Sequence, residues 1–241
     1  MAKINFLLHT PIAHRGLHST TVPENSLTAF QKAVQGRFPI ELDCHILKSG
    51  EVIVFHDDNL KRMCGIDKEV SHCTFTEIRE LYLNHTRERI PLLSEVLSVV
   101  NGKVPLLIEL KYDQKAGKLE AAAVEALKDY KGKYALQSFN PLSLRWLKKH
   151  APEVPRGLLS SDFKNCGEPI SPLLKPVLKN LCLAPFIKPD FISYDIRALP
   201  NNRVKKYRDQ GLPVLGWTVS HLSQSKEALK YCDNLICEKI L

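Results

Sequence analysis

Ile40-Glu41-Leu42-Asp43-Cys44-His45 reads as a short buried strand, and strand alternation puts Glu41 and Asp43 on one face. Two carboxylates side by side in an apolar run make a poor core, because they repel and their burial is unfavourable unless a cation or hydrogen bonds compensate. A hard divalent metal held by oxygen ligands is the usual compensator. The run 105–111, Pro-Leu-Leu-Ile-Glu-Leu-Lys, repeats the pattern and ends in Glu109 and Lys111. Two histidines close comparable runs: His14 follows Pro11-Ile12-Ala13, and His56 follows Val52-Ile53-Val54-Phe55. Any one of these residues alone reads as a turn former, a helix cap or a satisfied histidine. Together, on four runs, they fit a parallel barrel, which gathers reactive side chains from the C-terminal ends of several strands.

Working outward, apolar runs near residues 12, 41, 106, 136, 158, 192, 215 and 236 alternate with helical patterns. Eight strands alternating with helices predict a (β/α)8 TIM barrel, with residues 1–241 as a single domain. No G-x-G-x-x-G turn follows the first strand, so an open dinucleotide-binding sheet is unsupported. Leu47-Lys48-Ser49-Gly50-Glu51 makes a turn, so the run ending at His56 pairs back on the Glu41 strand as a hairpin that folds His56 over the acids. Residues 57–91 read as a small insertion covering the site mouth, with a helix over Thr76 to Leu83. Asn25 reads as a cap of the helix that follows, and Glu24 as a site residue or a partner of the helix dipole. His18, in a loop, and His45, taken to face away from the acid pair, are secondary candidates. The segment from Asp162 to Pro189 reads as a loop and a basic helix.

Apolar residues make up 44% of the 241, enough for a sizeable core. No apolar stretch approaches a membrane span, and Ile4 to Leu8 is too short for a secretory leader. The seven cysteines are odd in number and scattered, with no C-x-x-C pair, which argues against a disulfide framework or a zinc site and for a reducing, cytoplasmic setting. Cys44 and Cys237 read as small core residues. Residues 1–120 hold 15 basic and 15 acidic side chains and residues 121–241 hold 19 and 11, so the whole net charge of +8 lies in the second half. That bias suits an anionic partner or merely solvated helix faces. Within 170–189, an apolar face of Leu174, Val177, Leu178 and Leu181 beside Lys175, Lys179 and Lys188 suggests weak membrane-surface contact, against ordinary barrel packing. No aromatic-basic RNA signature accompanies the charge, so nucleic acid is not expected as a partner.

The assembled motifs resemble the glycerophosphodiester phosphodiesterase family. They are His14-Arg15-Gly16, Pro23-Glu24-Asn25-Ser26, Glu41-Leu42-Asp43, Val54-Phe55-His56-Asp57, Leu60 with Arg62 and Gly65, Ile108-Glu109-Leu110-Lys111, Gln137-Ser138-Phe139 and Trp217-Thr218-Val219. The chain departs from the family where Cys44, Cys64-Gly65 and Cys237-Glu238 stand; the last often reads Thr-Asp there. The resemblance implies that Glu41, Asp43 and Glu109 hold one divalent cation, Mg2+ or Ca2+, and that His14 and His56 are general acid and base. It further implies that Arg15 and Lys111 bind phosphate and that Gln137 and Trp217 line the substrate channel. The implied reaction cleaves a small glycerophosphodiester to glycerol phosphate and an alcohol, by a monomer or homodimer. A lysophospholipase D-type activity on lysolipids is the alternative, and a non-catalytic basic binding module a remote third.

Overall fold

The computed structural model describes residues 3–111, 115–164 and 171–240. Its strands are β1 (Ile12–His14), β2 (Ile40–Ile46), β3 (Val52–Val54), β4 (Leu106–Leu110), β5 (Tyr134–Ser138), β6 (Arg156–Ser160), β7 (Phe191–Asp195), β8 (Val214–Val219) and β9 (Asn234–Cys237). All except β3 pair in parallel with their ring neighbours, and β1 pairs with both β2 and β9, which closes an eight-stranded barrel. β3 stands outside the ring, antiparallel to β2, with Cys44 opposite Val54, as the hairpin reading predicts. The ring strands read as near-continuous apolar runs because both faces are covered, one by the helices and one by the barrel interior.

Alternation sorts the interior into layers. Ile12, Leu107, Ala135, Phe191, Leu215 and Ile236 form an apolar cluster at the base, plugged from below by Ile4 and Leu7. The segment 4–8 thus fills the barrel floor, held where Asn234 Nδ2 donates to the carbonyls of Leu7 (2.6 Å) and Thr10 (2.7 Å). A Cβ at Gly157 would lie 2.1 Å from the Phe191 ring, so the glycine makes room for that aromatic. Two residues further along the same strands come His14, Glu109, Gln137, Ser193, Trp217 and Glu238, so the interior turns polar one layer above an apolar floor.

Outside the ring, helices such as Leu27–Gln35, Leu93–Val100, Lys118–Leu127 and Pro141–His150 bury one face each against the strands. Residues 57–91 carry a second small core, in which Phe55, Leu60, Val70, Cys73, Ile78 and Leu83 pack together. Its helices are short, Lys61–Cys64 and Phe75–Ile78, so the helix expected to reach Leu83 stops early. The described part of the Asp162 to Pro189 stretch also departs from expectation: in place of one basic helix there are two short ones, Lys175–Lys179 and Ala184–Ile187. Pro172, Pro176 and Pro185 cut the segment, since proline lacks the N–H and starts helices rather than continuing them. Ile170 and Cys166 lie outside the described residues. The six described cysteines are free, with Cys44 and Cys237 buried as expected. Among the described residues no helix is long and apolar enough to cross a membrane.

Candidate active site

Pairing register builds the site. His14 of β1 stands beside Glu41 of β2, Asp43 beside Glu109 of β4, and Glu109 beside Gln137 of β5. One pocket at the C-terminal end of the barrel is lined by His14, Arg15, Glu41, Asp43, His56, Glu109, Lys111, Gln137 and Trp217, together with Phe139 and Leu159. The nine residues to which the resemblance gives roles therefore line one pocket, whereas Glu24, His18 and His45 are not among its lining.

Oxygen atoms of Glu41, Asp43 and Glu109 lie within 4.8 Å of one another, and all three residues are buried. Lys111 Nζ sits 2.9 Å from Asp43 Oδ1 and 2.8 Å from Glu109 Oε1. The Arg15 backbone N–H donates to Glu41 Oε2 at 3.2 Å. Arg15 Nε is also 3.2 Å from Asp43 Oδ2, but it lacks the alignment of a hydrogen bond and is left without an acceptor, so this contact is an ion pair only. Burial and the two neighbouring carboxylates push Glu41 well above the ordinary carboxylate range. Burial would also raise Asp43, yet Lys111, the histidines and Arg15 hold it well below that range. Lys111, despite its burial, is held charged by Asp43 and Glu109. Three carboxylates thus face two cationic side chains, and Glu41 bears the mismatch, its charged form disfavoured until a further cation joins. An all-oxygen, net-anionic donor set of this kind fits a hard divalent cation.

Each pocket histidine is backed by a carboxylate. His14 Nδ1 lies 2.6 Å from Glu238 Oε1, and His56 Nδ1 lies 2.7 Å from Asp57 Oδ1. An ionised carboxylate only accepts, so in both rings Nδ1 carries the proton and Nε2 is left to exchange one. Glu238 also accepts from His18 Nε2 at 2.8 Å. Burial lowers His14, partly offset by Glu238. Glu238 and Asp57 are themselves held well below the usual carboxylate range, because these bonds outweigh the effect of burial. Arg62, from the insertion, spans two of these supports: it donates to Asp57 Oδ2 (2.6 Å) and to Glu24 Oε1 (2.6 Å), and Glu24 in turn accepts from Arg15 Nη1 (2.7 Å).

The chain matches the Glycerophosphoryl diester phosphodiesterase family over residues 14–236. It belongs to that family. A glycerophosphodiester phosphodiesterase of Caldanaerobacter subterraneus is 31% identical over 234 residues, covering 91% of this chain and 89% of that protein. A Lysophospholipase D from Rattus norvegicus is 36% identical over 133 residues, half of this chain and 41% of its own. Among solved structures, a phosphodiesterase of Oleispira antarctica in complex with the product sn-glycerol-3-phosphate has a TM-score of 0.81 at 24% identity, covering 99% of this chain and 96% of its own. A glycerophosphodiester phosphodiesterase of Thermotoga maritima has a TM-score of 0.73 at 25% identity, each chain covered to 95%. The barrel is therefore that of this family, and the chain is a phosphodiester hydrolase.

Sequence reasoning misses several residues of this family member's site. Asn25 is not the cap; Ser26 is, accepting from the Ala29 N–H, while Asn25 Nδ2 donates to Asp43 Oδ2 at 2.9 Å. His45 does not face away: two residues beyond Asp43 it shares the acids' side by the same alternation, and its Nε2 lies 3.2 Å from the His56 carbonyl. Glu238 had a readable signal, since it too follows an apolar strand-end run, Asn234 to Cys237.

Proposed function

We propose that the chain hydrolyses glycerophosphodiesters to glycerol phosphate and an alcohol, with Glu41, Asp43 and Glu109 holding one divalent cation, Mg2+ or Ca2+. One observation carries the reading: two histidines, each oriented by its own carboxylate, face the same pocket as the buried carboxylate trio. A phosphodiester anion repels nucleophiles and loses a poor alkoxide. The cation, when bound, would withdraw charge from the phosphoryl group. Arg15 and Lys111 neutralise the remaining phosphate charge, each already poised beside the carboxylates. Nε2 of one histidine gives a proton to the leaving oxygen while Nε2 of the other takes one from the attacking O–H, either water's or that of the adjacent glycerol hydroxyl, whose cyclic phosphate water then opens; each transfer contributes about 10²- to 10⁴-fold in rate. Gln137, fixed by the Ser193 hydroxyl at 2.7 Å, and Trp217, packed edge-on to Phe139, form the channel wall for the glycerol and its head group. The glycerol phosphate held by the Oleispira antarctica phosphodiesterase is the product this reading calls for. Free cysteines throughout the described chain suit a reducing compartment such as the cytoplasm.

Glycerol phosphate released from glycerophosphocholine and glycerophosphoethanolamine is the direct assay, run in EDTA and with Mg2+ or Ca2+ restored. Release should need the cation and fall at least about 10²-fold in His14→Ala and in His56→Ala. Metal-independent release, or full activity in either variant, would overturn the assignment. A lysolipid substrate is the second reading, supported by the kinship with a Lysophospholipase D over half the chain. Release of lysophosphatidic acid from lysophosphatidylcholine, in place of glycerol phosphate from the deacylated esters, would favour it.

A further inference from the structure

The most exposed large apolar side chains of the described residues come from two stretches, 141–150 and 171–189, whose helices Pro141–His150 and Ala184–Ile187 pack together. Leu173 is 83% exposed, Phe186 77%, Leu142 55% and Leu174 52%. Leu142 and Phe186 line one shallow groove with Arg145 and Leu183, where helix Pro141–His150 meets helix Ala184–Ile187. This differs from the face expected over 174–181, because Leu181 is buried in the barrel wall and Val177 and Leu178 are half-buried. The apolar tips that point outward are therefore those the short helices leave free.

Both stretches carry charge of one sign. Residues 141–150 and 171–189 contain no aspartate or glutamate, and they carry Arg145, Lys148, Lys149, Lys175, Lys179 and Lys188. On helix Pro141–His150, Leu142, Arg145 and Lys149 are all exposed at spacings of three and four, so an apolar tip and two cations share one stripe. Helix Pro141–His150 starts two residues past Phe139, which lines the active-site pocket, so the patch begins at the pocket's rim.

We propose that the flank formed by these stretches docks the protein on an anionic lipid surface, with Leu173, Leu174 and Phe186 entering the headgroup boundary and the lysines and arginine of both stretches meeting lipid phosphates. Exposed apolar tips on segments whose only charges are cations are what an interfacial site requires. A second copy is a poorer occupant: a two-fold contact would set this cationic patch against itself. Nucleic acid would use the cations and leave the leucines and Phe186 without a partner. The docking does not depend on which phosphodiester is hydrolysed.

Co-sedimentation of the full chain with vesicles tests it. Wild type should bind vesicles of phosphatidylcholine mixed with phosphatidylglycerol and bind pure phosphatidylcholine much less, with binding weakened by added salt. The double variant Leu173→Ser/Phe186→Ser should reduce binding to the mixed vesicles at least about tenfold, and Arg145→Gln/Lys149→Gln should do the same at moderate salt. All four positions are exposed, so unfolding midpoints should match wild type, which certifies folding whether or not the soluble esters are turned over. Absence of wild-type binding, equal binding to the uncharged vesicles, or undiminished binding by the apolar double variant would each overturn the proposal. So would a concentration-dependent dimer that Phe186→Ser dissociates, since the groove would then be a self-contact.

Discussion

At the scale of single residues, the carboxylates behind the histidines matter as much as the histidines. Glu238 and Asp57 fix which ring nitrogen carries the proton. An amide in either place can donate, which would turn Nδ1 into an acceptor and put the proton on Nε2. Glu238→Gln and Asp57→Asn should therefore lower kcat by about 10²- to 10³-fold with KM changed far less, measured by steady-state release of glycerol phosphate. Parts of this site could be read without coordinates, because strand-end acids and histidines leave a one-dimensional trace: an apolar run broken by a residue no core would choose. Pairings left no such trace. His14 and Glu238 are 224 positions apart, and nothing local to either names the other. Asn25 misleads for the opposite reason, since its local context of proline and serine is that of a cap, and Ser26 fills that role.

At the scale of elements, the barrel depends on size matching at its floor. Phe191 is fully buried among Ile12, Leu107, Leu215 and Ile236, so its ring has nowhere to retreat if Gly157 gains a side chain. Gly157→Ala should cost roughly 1–3 kcal/mol, read as a lower denaturant midpoint. Phe191→Leu in the same chain should recover part of that loss, whereas a general weakness of β6 would leave the two losses to add. The strands and the hairpin were legible because their runs are apolar and close in length to what a barrel needs. The stretch after β6 was not: its composition is helical by hydrophobic spacing, and the prolines that divide it act on backbone geometry rather than on that spacing.

At the scale of the whole molecule, the rim of the barrel is tied by ion pairs whose strength depends on pH. Burial works against the charged forms of Glu24, Asp57 and Glu238, yet hydrogen bonds from Arg62, His56, His14 and their neighbours outweigh it and lower all three. Each folded value then lies below the unfolded value near 4, so between the two the unfolded chain binds more protons and stability rises with pH. The contribution is complete above about pH 5 and is lost as pH falls through the folded values. Urea midpoints should thus be level with respect to these groups from neutral pH to about 5 and drop below about 4, and Asp57→Asn/Glu238→Gln should make that drop shallower. Ring closure through β1 has a consequence in time. During synthesis His14 leaves the ribosome ~10 to 45 s before Glu238 at about 5–20 residues per second, so the nascent chain carries His14 without this carboxylate throughout. Any product cut short before Asn234 lacks β9, leaving a barrel with two open edges and a histidine with no fixed tautomer. Incomplete chains would be inert and prone to associate, which makes the last strand a built-in check on completeness.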